Sequence, residues 1–203
     1  VKDIAAILQA IALQAIEITI EANPEEISLA QLKSLRQTGV NRLSLGVQSF
    51  DDSQLQRLGR RHSANTALKA IAMAHQAGFD NISIDLMYDL PGQTAASWQK
   101  TLAYLPGLPI SHISLYNLEI EPKTLFFQQK SRLAKLPGES QSLLLLKQAL
   151  SSFKKEKFQR YEISAFAKNN QKSLHNSGYW QGRPFLGLGP AAFSTIHVRT
   201  MTV

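Results

Sequence analysis

Hydrophobic positions along the chain switch between a period near 3.6 and a period of 2, the two spacings that separate helix from strand. The helical spacing predicts helices over 3–14, 28–38, 63–77, 94–105 and 139–157. Between them the alternating runs predict strands over 17–22, 42–47, 81–87, 112–118 and 161–166. The punctuation agrees with this reading. Ser28 and Ser63 stand where N-caps belong, with Gln31 three residues after the first. Gly39 and Gly78 follow helix ends where a left-handed C-terminal cap would sit.

Strands separated by helix-length connections favour parallel pairing through βα crossovers. In Ile18-Thr19-Ile20-Glu21, Leu43-Ser44-Leu45-Gly46 and Ile82-Ser83-Ile84-Asp85, branched or apolar residues alternate with small or polar ones. A doubly wound sheet covered on both faces would be apolar at nearly every position. The pattern therefore predicts an α/β fold, a partial or complete (β/α) barrel with a polar, ligand-bearing interior. The turn Leu136-Pro137-Gly138 marks a boundary, with the barrel over 1–135 and the start of a carboxy-terminal extension over 136–203.

In such a barrel, ligands sit at the carboxyl ends of the strands. Glu21, Gln48, Asp85 and Glu119 each fall at or just past a predicted strand end. Singly, each has a lesser reading as a helix cap or a solvated loop residue; together they outline hydrogen-bonding groups around one cavity. Arg60 follows a short predicted helix and is placed to reach back toward it. The Pro91-Gly92 pair demands a tight turn before a helix N-terminus that favours an anionic group.

Composition narrows the function classes. At 203 residues and 44% hydrophobic, the chain is long enough for one well-buried core. The net charge of +7 is dispersed, and only Lys154–Lys157 approaches a run, which reads as a solvated helix end rather than a nucleic-acid stripe. A basic surface also suits small carboxylate ligands. No apolar run reaches the ~20 residues that span a bilayer. The first residues do not read as a secretory signal, so a cytoplasmic protein is expected. The chain has no cysteine, which excludes disulfides and any thiolate-held metal cluster within these residues.

Several runs carry a family resemblance. They are Glu17–Glu25, Asn41–Phe50, Leu58-Gly59-Arg60, Ile84–Tyr88, His112–Tyr116, Tyr161–Phe166 and Leu186–Gly189. In order and spacing they resemble radical S-adenosylmethionine proteins of the oxygen-independent coproporphyrinogen III oxidase group. The resemblance covers nearly the whole chain from Glu17 to Ser194. It implies a barrel in which a 4Fe–4S cluster cleaves S-adenosylmethionine to an adenosyl radical. It also implies that Glu21, Gln48, Arg60 and Asp85 contact S-adenosylmethionine, with Glu119 and Phe193 as less closely matching contacts. The chemistry suits the ligand: a carboxylate for Arg60, an ammonium and ribose hydroxyls for Glu21 or Asp85.

Two departures stand out. The family's cluster is held by a three-cysteine loop ahead of the segment matching 18–21, and the five histidines here have no comparable spacing. The chain is therefore expected to be a piece lacking the first strands of the barrel. An unpaired strand edge near Glu17 would leave it marginally stable, and a cooperative melt at high temperature would contradict that. Second, Asp89 stands where the family has glycine, at a position expected to need a positive φ.

The stretch His175-Asn176-Ser177-Gly178-Tyr179-Trp180 reads, on its own, as a turn with an imidazole and two aromatics. It resembles the hallmark of the haem-chaperone branch of the family rather than of the oxidases. That implies haem binding by His175, Asn176, Tyr179 and Trp180, with His175 as the iron ligand and the two rings against the porphyrin. Three readings follow. The first is a haem chaperone that passes haem to accepting proteins. The second is a coproporphyrinogen III oxidase acting by radical decarboxylation. The third is a cluster-free α/β ligand-binding domain.

Overall fold

Alternation along the strands dictates a sheet with one greasy and one polar face, and a computed structural model shows how the helices exploit it. The structure describes residues 1–11, 14–128 and 133–196. Six strands form one sheet in the order β1-β2-β3-β4-β6-β5. They are β1 (Thr19–Ala22), β2 (Arg42–Gln48), β3 (Asn81–Tyr88), β4 (His112–Asn117), β5 (Gln159–Arg160) and β6 (Ala165–Ala167). The helices are α1 (Lys2–Ile11), α2 (Leu29–Gln37), α3 (Asp52–Arg57), α4 (Ala64–Gln76), α5 (Ala95–Leu102), α6 (Leu125–Gln128), α7 (Glu139–Lys155) and α8 (Leu174–Trp180). Part of the helix predicted over 3–14, at residues 12 and 13, lies outside the described residues, as does His197.

Strands β1 to β4 pair parallel, joined by helical crossovers. Leu43, Leu45 and Val47 of β2, and Ile82, Ile84 and Leu86 of β3, point to one face and are fully buried. Against them pack Leu32 of α2, Ile71 of α4, Trp98 of α5 and Phe153 of α7. The indole nitrogen of Trp98 donates to the Leu145 carbonyl at 2.9 Å, which ties α5 to α7 and satisfies the one polar atom of that ring. The opposite face carries Glu21, Ser44, Ser83 and His112 side by side in register, with Asp85 opposite Ser114 one step further along.

The sheet is open rather than closed, and β1 forms one edge. The partial barrel read from the alternation is thus present. The strand predicted over 161–166 is instead two short strands joined by a turn. β6 runs antiparallel to both β4 and β5, so β5 is parallel to β4. The α7 crossover delivers β5 one place beyond β4, and the chain folds back to fill the gap. The Arg160 guanidinium closes that turn on the carbonyls of Glu162 and Ile163.

The caps form as their chemistry requires. Ser28 and Gln31 make a reciprocal capping box, and Ser63 caps α4. Gly39 and Gly78 adopt φ of 98° and 89°. Asp89 also has a positive φ, 62°, and the Ser142 hydroxyl of α7 donates to its carboxylate at 2.6 Å. That bond anchors the strained loop to the helix beneath it. Among the described residues, no helix is long and apolar enough to cross a membrane.

Candidate functional site

The carboxyl ends of the strands gather most of the residues expected there. Gln48 closes β2, and the register shifts between Leu45 and Gln48, so the strand bulges just before its end. The bulge puts Gln48 at φ 66°. Its side-chain amide lies over Gly46, where a Cβ would sit 3.2 Å from the amide nitrogen and 3.5 Å from the Asn23 carboxamide. Glycine at 46 therefore makes room for Gln48 and Asn23 to approach each other.

Arg60 reaches this corner from the loop after α3, where its guanidinium donates to Asn23 Oδ1 at 3.3 Å. The loop is held by His62, whose ring nitrogens lie 3.0 Å from Glu25 Oε2 and 3.0 Å from the Val47 carbonyl. Arg60 and Glu119 also line one cleft of about 270 Å³ with Leu58, Met87 and Phe126. Glu21 is exposed on the polar face, at the level of Ser44. Asp85 lies further along the same face in β3. Burial pushes its carboxyl up to about 6; the Ser114 hydroxyl opposes this, Glu21 adds to it, and Arg42 and Arg60 oppose it.

A second group assembles at the amino ends of the strands. The 175–180 stretch is a helix, α8, not the turn expected of it. The Ser173 hydroxyl accepts from the Asn176 amide at 3.2 Å, and the Glu17 carboxylate accepts from the amides of Leu174 at 3.0 Å and His175 at 3.3 Å. These acceptors outweigh the cost of Gly178 inside a short helix. Tyr161 Oη accepts from the Ser173 amide at 3.1 Å and lies 2.8 Å from His112 Nε2, while His112 Nδ1 meets Ser83 Oγ at 2.8 Å. The start of α8 is thereby bonded to the floor of the sheet.

On α8 the four motif residues fall in two i,i+4 pairs, His175 with Tyr179 and Asn176 with Trp180. The rings of His175 and Tyr179 meet edge to face at 4.6 Å. Phe185 continues the row 4.6 Å from Tyr179, and Phe193 stands 6.3 Å from Phe185. Phe193 thus joins the aromatic row that leads to His175. Gly187 allows this fold-back, because a Cβ there would overlap the Phe193 carbonyl oxygen. His175, Tyr179, Arg183 and Phe185 line a cleft of about 120 Å³, and Trp180 is 59% exposed. The rise from Arg42 to Gln48 is roughly 20 Å, so the two groups occupy opposite ends of the strands.

Sequence reasoning passed over Asn23, Glu17, Ser173, Tyr161 and His112 as site-building residues. Only Asn23 and Glu17 had a usable signal, since each flanks β1. Among the described residues no group of three His, Asp or Glu side chains is placed to hold a metal, and with no cysteine in the chain these residues do not fit a thiolate-held cluster.

Residues 1–105 match the radical SAM superfamily. The chain is 40% identical over 190 residues to the heme chaperone HemW of Bacillus subtilis (strain 168), covering 92% of this chain and 50% of that protein. It is 41% identical over 177 residues to the mitochondrial radical S-adenosyl methionine domain-containing protein 1 of Danio rerio, covering 87% of this chain and 40% of that protein. Among solved structures, coproporphyrinogen III oxidase (HemN) from Escherichia coli, described as a radical SAM enzyme, superposes with a TM-score of 0.81 at 26% identity. That match covers 96% of this chain and 49% of the other. The chain spans about half the length of the curated relatives it matches, or somewhat less. With the motifs, the half-barrel and these relatives in agreement, the chain belongs to the radical SAM superfamily.

Proposed function

We propose that this chain is part of a haem chaperone, binding haem through α8 and S-adenosylmethionine on the polar face of the sheet, and passing the haem to an accepting protein. The observation that carries the reading is His175. It is an exposed imidazole on a helix capped by Glu17 and Ser173, flanked by Tyr179 and an exposed Trp180. An imidazole fixed in this way suits axial ligation of haem iron, and the flat rings beside it suit a porphyrin edge.

S-adenosylmethionine fits the other end. Arg60 offers a fork to its carboxylate, Gln48 and Glu21 offer groups to its amine, and Asp85 accepts from hydroxyls; Glu119 borders the cleft that Arg60 lines. In the longer relatives a 4Fe–4S cluster would supply the reducing electron, and its ligands are not among these residues.

Titration of haem into the chain, read by the Soret band, tests the reading. Wild type is expected to bind saturably, and His175→Ala to lose most of the affinity and the spectral signature of imidazole ligation. Unchanged binding by the variant would overturn the assignment. The likeness to coproporphyrinogen III oxidase supports a second reading, radical decarboxylation of porphyrinogen propionates. Absence of haem binding by a folded protein would favour it.

A further inference from the structure

Helix α8 ends in a turn that brings a cation back over the helix's own glycine. The Arg183 amide donates to the Gly178 carbonyl at 2.9 Å and the Gly182 amide to the Tyr179 carbonyl at 3.0 Å, with Gly182 at φ 64°. From this turn the Arg183 side chain runs back along the helix, where its Nη2 donates to the Leu174 carbonyl at 2.9 Å. Gly178 is buried beneath it. A Cβ there would lie 3.2 Å from Arg183 Nε and 3.3 Å from both Cζ and Nη2. Three bonded atoms at nearly one distance place the guanidinium plane across the glycine, so a larger residue would have to displace it. Glycine inside a helix costs some stability, and here it gives the cation a fixed seat.

Among the described residues the Arg183 side chain makes that one hydrogen bond and no ion pair, which leaves most of its N–H donors available. The Glu17 carboxylate is committed to the amides of Leu174 and His175. Position indicates which anion would complete the site. Arg183 shares one cleft with His175, Tyr179 and Phe185, and it is the one permanently charged residue lining that cleft. At about 120 Å³ the cleft is well short of the roughly 300–1,000 Å³ that encloses a whole small ligand. It therefore admits the edge of a ligand whose body rests outside, against the exposed rings of Tyr179 and Trp180. A haem carries its carboxylates on one edge and its iron at the centre. A cation that shares the imidazole's cleft but is tied to Leu174 is placed to meet that edge.

We propose that Arg183, seated on Gly178, is the carboxylate-binding residue of the haem site, its guanidinium taking one propionate of the porphyrin whose iron His175 holds. This rests on the haem-binding reading above and gives that site its orientation: His175 fixes the iron, and Arg183 fixes which edge of the ring turns toward the end of α8. The planar fork suits a carboxylate, and a guanidinium already held by Gly178 and Leu174 loses less freedom on binding than a free side chain would. Arg183 is exposed, so water and salt screen the pair and its effect on affinity is moderate.

The test pairs a variant with a change in the ligand. Haem and haem dimethyl ester, which lacks the propionate charges, are titrated into wild type and Arg183→Gln at low salt. Wild type is expected to bind haem roughly threefold to tenfold more tightly than the ester, a preference that shrinks as salt is raised. Arg183→Gln should bind both at about the ester's affinity, with the Soret signature of imidazole ligation unchanged. Equal binding of haem and ester by wild type overturns the proposal, and that comparison needs no substitution, so it holds even if the variant fails to fold. A folded Arg183→Gln that keeps the full preference also overturns it, because the charge preference would then come from the basic surface as a whole. So does a variant that weakens both ligands alike, which would mark Arg183 as a support of α8 only. Failure of the haem reading looks different: wild type would not bind haem saturably, or His175→Ala would bind it normally.

Discussion

Replacing Asp85 with asparagine is expected to stabilise the chain at pH 7–8 by about 1–3 kcal/mol while weakening S-adenosylmethionine binding roughly tenfold or more. The argument begins with burial. The carboxyl sits on the polar face of β3, held up to about 6 by lost hydration, with the Glu21 carboxylate adding to the shift. An unfolded aspartate titrates near 3.8. Between those two values Asp85 binds more protons in the folded state than in the unfolded one, so its own contribution to stability falls as pH rises through that window. Above pH 6 the full cost of keeping a buried carboxylate charged is present. Asparagine removes the charge, keeps the shape and still offers an acceptor.

Urea unfolding at pH 4 and pH 8 separates this linkage from any packing effect. The gain should be near zero at pH 4 and at its maximum by pH 7. Equal stability of the two proteins at pH 8, or a larger difference at pH 4, would defeat the explanation. A residue that destabilises the fold yet stands among the proposed ligand-binding groups fits the general trade-off between binding sites and stability.

Much of this arrangement was legible from the residues, for reasons that can be named. The strand pattern of β2 and β3 showed the two-faced sheet because side chains alternate with a period of 2, and nothing distant alters that. Ser28, Ser63, Gly39 and Gly78 marked helix ends because capping is local chemistry. Asp89 was expected at positive φ because the family it resembles has glycine there, and it lies there. What escaped depended on contacts far apart in sequence. The antiparallel β5 and β6 fill a gap that exists only once α7 has crossed the sheet. The helical form of 174–180 depends partly on Glu17, more than 150 residues earlier, capping its first amides. Arg42 read as one of many dispersed cations until the sheet showed it buried, with its Nε unpartnered among the described residues. The raised carboxyl of Asp85 was equally invisible, because burial belongs to the assembled face and not to the strand alone.

The second large effect is the opposite linkage at His112. Burial, with the Arg42 charge adding, pushes its imidazole down to about 3, against an ordinary value of 6.5. The folded chain therefore holds His112 neutral, and its ring nitrogens are already committed to Ser83 and Tyr161. Its contribution to stability is complete above pH 6.5 and is lost as pH falls toward 3; at pH 5 the loss is about 2 kcal/mol. Asp85 works the other way from about pH 4 to pH 6, recovering stability as acid protonates it. In wild type the two slopes nearly cancel there, and stability should change little across that range. Asp85→Asn unmasks the histidine, so that variant should lose stability steadily from pH 6.5 to 4. His112→Gln unmasks the aspartate, so its stability should rise over the same descent, whatever the constant cost of the new side chain. Unfolding measured for the three proteins at half-unit pH steps compares slopes rather than absolute values. A flat profile for Asp85→Asn would mean that His112 is not held neutral. In that case the hydrogen-bonded floor that joins Ser83, His112 and Tyr161 to the cap of α8 would not be a rigid support for the proposed haem site.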